Sequence, residues 1–398
     1  MLAEIILFML LGILAGTLTG LIPGIHINLV GVSLVALSAS LLSSVNPLYL
    51  VVLIVSMAIT NTFVDFIPSI FLGAPEDGTE LSVLPGHEML KQGLGFQAVR
   101  LASLGCLFGI FIFVLMSLPL SLVAKKIYEF TRTANLIPFL LIGVSLNLIL
   151  VEKRKFSGLA AFMISGALGL VVLNLGIKEP LLPLLTGLFG TSTLFLAIKN
   201  KTRIRKQEPG RIVKIKKIKP LLTSIFASPL SIFLPTISSG QIAVIGNQFS
   251  KLEKKEFLFM LGTINVLAMA FSFLALFLIS KTRTGSSAAI ESLLGIPEKE
   301  IFILIIFVAL LSGCLAFFIT KILARKFILI LEKTNYTKLC VITLLIVSII
   351  TLIVSGFFGL LVLVISTLTG IYCISLNVSR VNMMGCLLLP TVIFYLML

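Results

Sequence analysis

The stretch ITNTFVDFIPSIFLGAPEDGTELSVLPGHEMLKQG, residues 59–93, places an aspartate, prolines and a run of turn residues in an otherwise apolar chain. The chain is 58% hydrophobic and 12% charged, with a mean hydropathy of +1.17 over its 398 residues. No class of water-soluble globular protein has such a composition. Because charges and broken helices are costly within a bilayer, residues 59–93 predict a functional site inside a polytopic membrane protein.

Most of the remaining sequence consists of apolar runs. A membrane-spanning helix needs roughly 20 mostly apolar residues, and about twelve runs approach that length. Two further runs, near residues 29–45 and 239–250, are short enough to be re-entrant segments that enter and leave on one side. We therefore expect an all-α polytopic membrane protein with roughly 10–14 membrane segments.

One basic segment accounts for most of the net charge of +15. Residues 199–219 carry ten basic residues and one acid, which supplies +9 of that charge. The positive-inside rule places such a loop in the cytoplasm. A patch that binds anionic lipid or nucleic acid is the alternative reading, but the position between apolar runs favours topology, and no nucleic-acid partner is expected.

The basic linker divides the chain into residues 1–198 and residues 220–398, and both parts repeat one order of elements. In each part an apolar helix ends in a proline break, a short apolar run follows, and then a long span with a threonine and an asparagine leads into a polar hairpin. Such paired breaks are typical of transporters that consist of two inverted-topology repeats with broken or re-entrant helices. The sequence therefore predicts a first repeat, a cytoplasmic linker and a second repeat.

The two proline breaks are the predicted substrate-binding elements. Pro23-Gly24 ends the first helix, and Asn28 can cap a new helix whose amino terminus suits a carboxylate or phosphate. The second break supplies an opposing helix end, and the second hairpin adds basic side chains. The candidate substrate-binding residues are Pro23, Gly24, Asn28, Ser238, Ser239, Gly240, Gln241, Lys281 and Arg283.

A second set of residues is predicted to bind the coupling ion. Asn61 and Asp65 share a helix face, and Pro68 has no N–H to donate to the carbonyl of Val64. With the hydroxyl of Thr62 and with Asp77 from the hairpin, these groups offer oxygen ligands for Na⁺ or a site for a proton. A hydrated acid near the interface is the alternative for Asp65.

Other chemistry finds little support in the sequence. The five cysteines lie singly in apolar runs, without a CxxC motif or clustered histidines, so neither a disulfide framework nor a metal centre is predicted. We also find no Walker A motif and no catalytic constellation. The expectation is a protein without enzymatic activity or tightly bound cofactor, for which Na⁺ is a candidate coupling ion.

The motifs resemble those of a known family. LIPGIHIN at 21–28 and GAPEDGTELSVLPGHEMLKQG at 73–93 are similar to segments of the large membrane (permease) subunit of tripartite tricarboxylate transporters, archaeal-type members. FLPTISSGQIAVIGNQF at 233–249 and KTRTGSSAAI at 281–290 extend the resemblance to the second half. It implies a permease with two inverted repeats, a small membrane subunit and an extracytoplasmic solute-binding protein.

Two functions remain open at this point. The first is a secondary active transporter (permease) that moves an organic anion such as a carboxylate with Na⁺ or H⁺, by alternating access. The second is a translocase (flippase) of an anionic lipid carrier such as polyprenyl phosphate, which could use the same helix ends. Both predict a multi-pass protein of a prokaryotic plasma membrane in contact with lipids, and a homodimer is one assembly that the sequence leaves open.

Overall fold

The computed structural model describes residues 1–22, 46–75, 78–133, 136–200, 205–211, 213–233, 237–333 and 335–397. Within these ranges the regular secondary structure is helical and there is no strand. Nine of the described helices are long and apolar enough to cross a membrane, and two shorter apolar segments cover Pro138–Val151 and Ile218–Phe233. The prediction of an all-helical polytopic membrane protein is confirmed for this part of the chain.

The first half starts with two long helices and a helical hairpin. Its helices are α1 (Leu2–Leu21), α2 (Pro47–Val64), α3 (Val83–Lys91), α4 (Gly95–Thr133), α5 (Leu136–Val151), α6 (Lys155–Asn174), α7 (Leu181–Leu185) and α8 (Ser192–Lys199). A π-helical turn at Pro68–Leu72 follows α2, and another at Thr186–Thr191 joins α7 to α8. A turn of 3-10 helix, Glu80–Ser82, leads directly into α3.

The second half begins after the basic linker. Its helices are α9 (Ile218–Ala227), α10 (Leu230–Phe233), α11 (Ser239–Ser250), α12 (Lys254–Ile279), α13 (Gly285–Leu294), α14 (Lys299–Lys333), α15 (Tyr336–Ser375) and α16 (Gly385–Met397). Gly356 interrupts α15 with φ 69° and ψ −168°. Because α15 would be about 60 Å long and the hydrocarbon core is about 30 Å thick, the helix is long enough for two crossings.

Small residues allow close helix crossings. A Cβ atom added to Gly105 of α4 would overlap the carbonyl oxygen of Phe259 in α12, and one added to Gly262 of α12 would overlap that of Ala102. Lipid tails are as apolar as leucine, so helices in membranes associate through such backbone contacts. This crossing joins the two halves of the chain.

The two halves interleave. Helix α4 of the first half packs on α12 of the second, while α14 of the second half packs on α2 of the first. At the other end of the chain α16 packs on α6, and the α7–α8 segment packs on α15. Among the described helices, those of the two halves thus pack against one another.

The basic linker marks one side of the molecule. The side chain of Gln207 accepts a hydrogen bond from the N–H of Gly95, at the start of α4 (2.9 Å), and the N–H of Gln207 donates to Oε1 of Glu332, near the end of α14 (3.3 Å). Helix α4 therefore begins, and α14 ends, on the side where Gln207 lies. We call this side the linker face.

Candidate functional site

Asp65 of the first half and Asn265 of the second half meet in the interior. The two residues are 3% and 7% exposed, and Asn265 Nδ2 donates to Asp65 Oδ2 (3.3 Å) and to the carbonyl oxygen of Thr62 (3.4 Å). Asn265 lies near the middle of α12, roughly 17 Å from Lys254 at 1.5 Å per residue. A helix long enough to cross a membrane therefore carries this contact near its midpoint.

The sequence explains why the helix that carries Asp65 ends in the interior. The N–H of Asp65 still donates to the carbonyl of Asn61 (3.0 Å), but Pro68 has no N–H with which to continue the regular helix. The chain proceeds as a π-helical turn and stops at Gly73, whose left-handed φ of 60° favours glycine. Single π-helical turns are frequent at functional sites.

The hairpin after this helix brings a second acid into the interior. Ser69 Oγ donates to the carbonyl of Thr79 (3.1 Å) and lies 2.8 Å from Ser82 Oγ, so the hairpin folds back against the end of its own helix. The carboxylate of Glu80 accepts a hydrogen bond from the N–H of Gly78 (2.6 Å), and Glu80 is 1% exposed. The end of α2 and the hairpin after it thus bring two acids, Asp65 and Glu80, into the interior.

The amino terminus of α11 completes the arrangement. Ser238 and Gln241 form a capping box at this end, and Ser239 Oγ donates to Asn265 Oδ1 (3.0 Å). A Cβ atom added to Gly240 would overlap Glu80 Oε1, so the carboxylate approaches the backbone of the helix at this glycine. We call Asp65, Gly78, Glu80, Ser239 and Asn265 the polar cluster.

The polar cluster has two chemical properties. A helix amino terminus carries roughly half a positive charge and favours a carboxylate, and here the carboxylate of Glu80 lies against it. Carboxylate, amide and backbone carbonyl oxygens are also the groups that coordinate Na⁺ in transporters with broken helices, and a carboxylate can carry H⁺ instead. The described residues contain no group of three His, Cys, Asp or Glu side chains that could hold a metal ion.

The remaining predicted ion-binding residues lie one turn away or outside the described ranges. Asn61 Nδ2 donates to Thr19 Oγ1 of α1 (3.2 Å), and the hydroxyl of Thr62 donates to the carbonyl of Ile59 (2.7 Å). The backbone carbonyl of Thr62 is the oxygen that accepts a hydrogen bond from Asn265 in the polar cluster. Pro23, Gly24, Asn28 and Asp77 lie outside the described residues.

The predicted basic pair occupies the second hairpin, beyond the other end of α12. Lys281 is exposed, and Arg283 is partly buried and donates from Nη2 to the carbonyl of Ile232 (2.6 Å). Burial lowers the pKa of the Arg283 guanidinium from its ordinary value. Neither residue has a hydrogen bond to the polar cluster among the described contacts.

Each hairpin has a contact between two hydroxyl groups. Thr284 Oγ1 lies 3.0 Å from Ser272 Oγ of the preceding helix, and Ser82 Oγ lies 2.8 Å from Ser69 Oγ in the first half. Arg283 precedes Thr284 by one position in the second hairpin. Glu80 precedes Ser82 by two positions in the first. The hydroxyl contacts of the two hairpins therefore have residues of opposite charge near them in the sequence.

A cavity of about 200 Å³ adjoins Glu80. It is lined by two basic residues of the second half, Lys254 and Arg380, and by apolar residues from both halves. The residues around it are Glu80, Leu81, Val83, Leu84, Pro85, Phe189, Asn247, Leu252, Lys254, Phe257, Ser379, Arg380 and Val381.

The two basic residues of the cavity are held differently. Arg380 is partly buried and donates from Nη1 to Thr193 Oγ1 (2.7 Å), whereas Lys254 is exposed and pairs with Glu88 at 2.5 Å. The segment before Arg380 is fixed by Glu152, whose Oε2 accepts from the N–H of Ser379 (3.0 Å). Both halves therefore position the guanidinium.

Sequence reasoning missed three of these residues as site residues. Asn265 appeared only as a polar residue within an apolar span, and Glu80 only as one acid of a hairpin. Arg380 follows a predicted span directly, where basic residues commonly mark the membrane interface. Only the tertiary fold places it beside residues 80–85, although a lone arginine between two apolar runs was a usable signal.

The polar cluster is buried where helices of the two halves interleave, and it lies halfway along a helix long enough to span a membrane. Such a site is typical of polytopic membrane proteins of the transporter class. Residues 6–385 match the tripartite tricarboxylate transporter TctA family. The chain belongs to this family, as the motifs predicted, and so to a family of membrane transporter components rather than of enzymes.

The chain is also similar to an uncharacterised protein of Methanocaldococcus jannaschii. The two are 32% identical over 404 residues, which cover 98% of this chain and 99% of the relative. No solved structure matches the chain.

Proposed function

We propose that this protein is a secondary active permease that moves a small organic anion such as a carboxylate, coupled to Na⁺ or H⁺, by alternating access. The observation that carries the proposal is the hydrogen bond between Asp65 and Asn265. It joins a buried acid of one half to the other half near the middle of a spanning helix, where transporters bind substrate and ion. Relative movement of the halves would change the surroundings of this acid.

The coupling ion is proposed to bind at Asp65. The carboxylate, the carbonyl of Thr62 and the nearby amide of Asn61 supply oxygen atoms, and Asp77 belongs to the same proposed set. A cation or proton bound at Asp65 would offset part of the negative charge of the polar cluster, which also includes the carboxylate of Glu80. Ion binding would thereby prepare the adjacent helix end for an anion.

The substrate is proposed to bind at the helix breaks. Ser238, Ser239, Gly240 and Gln241 form the amino terminus of α11, which suits a carboxylate. Pro23, Gly24 and Asn28 would form the equivalent end in the first half. Lys281 and Arg283 would attract the anion from the side opposite to the linker face.

The opposite directions of equivalent helices support an inverted repeat. Helix α4 begins at the linker face and α14 ends there, although they have the same place in the two halves. Helix α11 has 12 residues, which at roughly 18 Å is too short to span, and it begins beside Asn265 at mid-membrane depth. We therefore propose that α11 is the re-entrant segment predicted near residues 239–250.

The cavity size favours a small anion. Its volume of about 200 Å³ is below the roughly 300–1,000 Å³ of pockets that bind drug-sized ligands. Such a space suits an organic acid better than a lipid carrier. In keeping with the tripartite family, we propose a small membrane subunit and an extracytoplasmic solute-binding protein as partners, and the plasma membrane of a prokaryote as the location.

Reconstitution of the purified protein in liposomes tests this proposal. We expect uptake of labelled succinate or citrate when an inward Na⁺ gradient or an inward pH gradient is imposed, and no uptake when neither gradient is present. The same liposomes, prepared with labelled polyprenyl phosphate, should show no faster scrambling than protein-free liposomes. Scrambling of the lipid without carboxylate uptake would contradict the proposal, and the partner subunits can be added in a parallel series.

A further inference from the structure

We propose that the cavity beside Glu80 is an anion-binding site on the linker side, where a carboxylate of the substrate binds Arg380 and competes with Glu80 for the amino terminus of α11. This proposal rests on the proposed function, because it names where a transported carboxylate would enter or leave. Neither Arg380 nor Lys254 belongs to the substrate-binding set predicted from the sequence.

The position of the cavity follows from two helix directions. Gly105 of α4 contacts Phe259 of α12, and Gly109 contacts Thr263, so contacts advance along both helices together and the helices run parallel. Since α4 begins at the linker face, α12 and its first residue Lys254 also begin there. The cavity therefore lies on the linker side of the polar cluster.

Arg380 has the properties of a carboxylate ligand. The guanidinium has five N–H donors in a planar fork, and the hydrogen bond to Thr193 uses one of them. Its placement depends on Glu152 and Thr193 of the first half, which hold Arg380 at the border of the cavity. Lys254 contributes less to anion binding than Arg380 does, because it is exposed and pairs with Glu88 where water weakens the interaction between charges.

Glu80 occupies the inner end of the same cavity. Its carboxylate lies against Gly240 at the start of α11, which is the position that a helix end offers to an anion. A substrate carboxylate that moved inwards from Arg380 would meet a like charge there unless Glu80 were protonated or displaced. Glu80 thus acts as a tethered competitor that holds the anion at Arg380 in this conformation.

Anion-dependent thermal stabilisation of the purified full-length protein in detergent measures binding independently of transport. Citrate, succinate and acetate are titrated against the wild type and four variants. We expect Arg380→Gln to weaken binding about 10-fold or more, since charge-assisted hydrogen bonds are lost. Lys254→Gln should weaken it by about 2- to 5-fold. The matched controls Arg325→Gln and Lys255→Gln, which do not border the cavity, should bind as the wild type does.

Two more variants separate binding from folding. Glu80→Gln should tighten binding, by about 3-fold or more, because the competing charge is removed while the shape is kept. General damage to the protein would not produce a gain. Should Arg380→Gln fail to fold, Leu84→Trp fills the cavity with every charge retained, and it should abolish the stabilisation.

The outcomes distinguish this inference from the proposed function. Equal affinity of the wild type, Arg380→Gln and Leu84→Trp proteins would overturn the cavity site, even if liposomes of the wild type transport carboxylate. A wild type that no anion stabilises would also overturn it. Weaker binding in both variants, with tighter binding in Glu80→Gln, would support the site even if transport required the partner subunits.

Discussion

At the scale of single residues, the site depends on pairs that are far apart in sequence. The turn at Pro68 and the acid at Asp65 were evident from the sequence, because a proline and a carboxylate stand out in an apolar run. Their partner Asn265 lies 200 positions away and looks like any polar residue of a span. The sequence therefore predicts which side chains are costly to bury, whereas the fold decides what they contact.

Asp65→Asn should abolish gradient-driven carboxylate uptake in liposomes and leave the protein folded. The amide oxygen of the new side chain can still accept the hydrogen bond from Asn265, and loss of a buried charge relieves desolvation. Uptake and the thermal midpoint are measured together, with Glu300→Gln, at the exposed start of α14, as the control. Normal uptake by the Asp65→Asn protein in both Na⁺ and pH gradients would show that Asp65 does not couple transport.

His87 should make the stability of the protein sensitive to acid. It is 2% exposed, and burial lowers its pKa from 6.5 to about 4, with further contributions from Lys91 and Arg380. Tyr336, whose ring centre lies 6.5 Å away, also faces it. Between pH 6.5 and 4 the unfolded chain binds more protons than the folded one, so stability falls as the pH falls through this window.

The expected loss for His87 is roughly 3 kcal/mol, from about 2.5 pH units at 1.36 kcal/mol each. Above pH 6.5 the folded and unfolded states are both neutral at this residue and the contribution is constant. Thermal midpoints of the wild type and His87→Gln, measured from pH 4 to 7.5, check this. Parallel curves for the two proteins would mean that His87 does not titrate in this range.

At the scale of helices, most boundaries could be predicted, and the crossings could not. Proline and glycine fix where α2 and α15 are interrupted, because both residues have backbone properties that act locally. Glycines on α4 and α12 allow a backbone contact between the halves, but the sequence does not state which glycine faces which carbonyl. Arg380 illustrates the same limit, since its neighbours depend on how α16 packs.

Gly105→Ala should destabilise the crossing of α4 and α12, whereas Gly143→Ala should not. The added Cβ at position 105 would overlap the carbonyl oxygen of Phe259, and the one at position 143 meets no atom within 4 Å. Overpacking costs about 1–3 kcal/mol, while alanine at an open helical position gains up to about 1 kcal/mol. Equal thermal midpoints of the two variants in detergent would show that α4 and α12 can separate without cost.

At the scale of the whole molecule, α12 connects two basic regions. Lys254 begins the helix at the linker face, Asn265 lies near its middle, and Lys281 follows its other end. The helix is roughly 39 Å long, enough to cross the bilayer. Under the proposed transport by alternating access, an anion attracted at either end would approach the same polar cluster, and the two ends would lie on opposite sides of the membrane.

Labelling of single cysteines from each side of the membrane tests this arrangement. In a Cys314→Ser background, where the other four native cysteines are buried, a membrane-impermeant maleimide should label Ser379→Cys and the linker variant Lys214→Cys in inside-out vesicles. Lys281→Cys should react only in intact cells, because the linker is expected in the cytoplasm. Succinate or citrate should slow labelling of Ser379→Cys, which borders the cavity, and leave Lys214→Cys unaffected. If Ser379→Cys and Lys281→Cys reacted from the same side, α12 would not cross the membrane, and the two basic regions could not serve opposite faces.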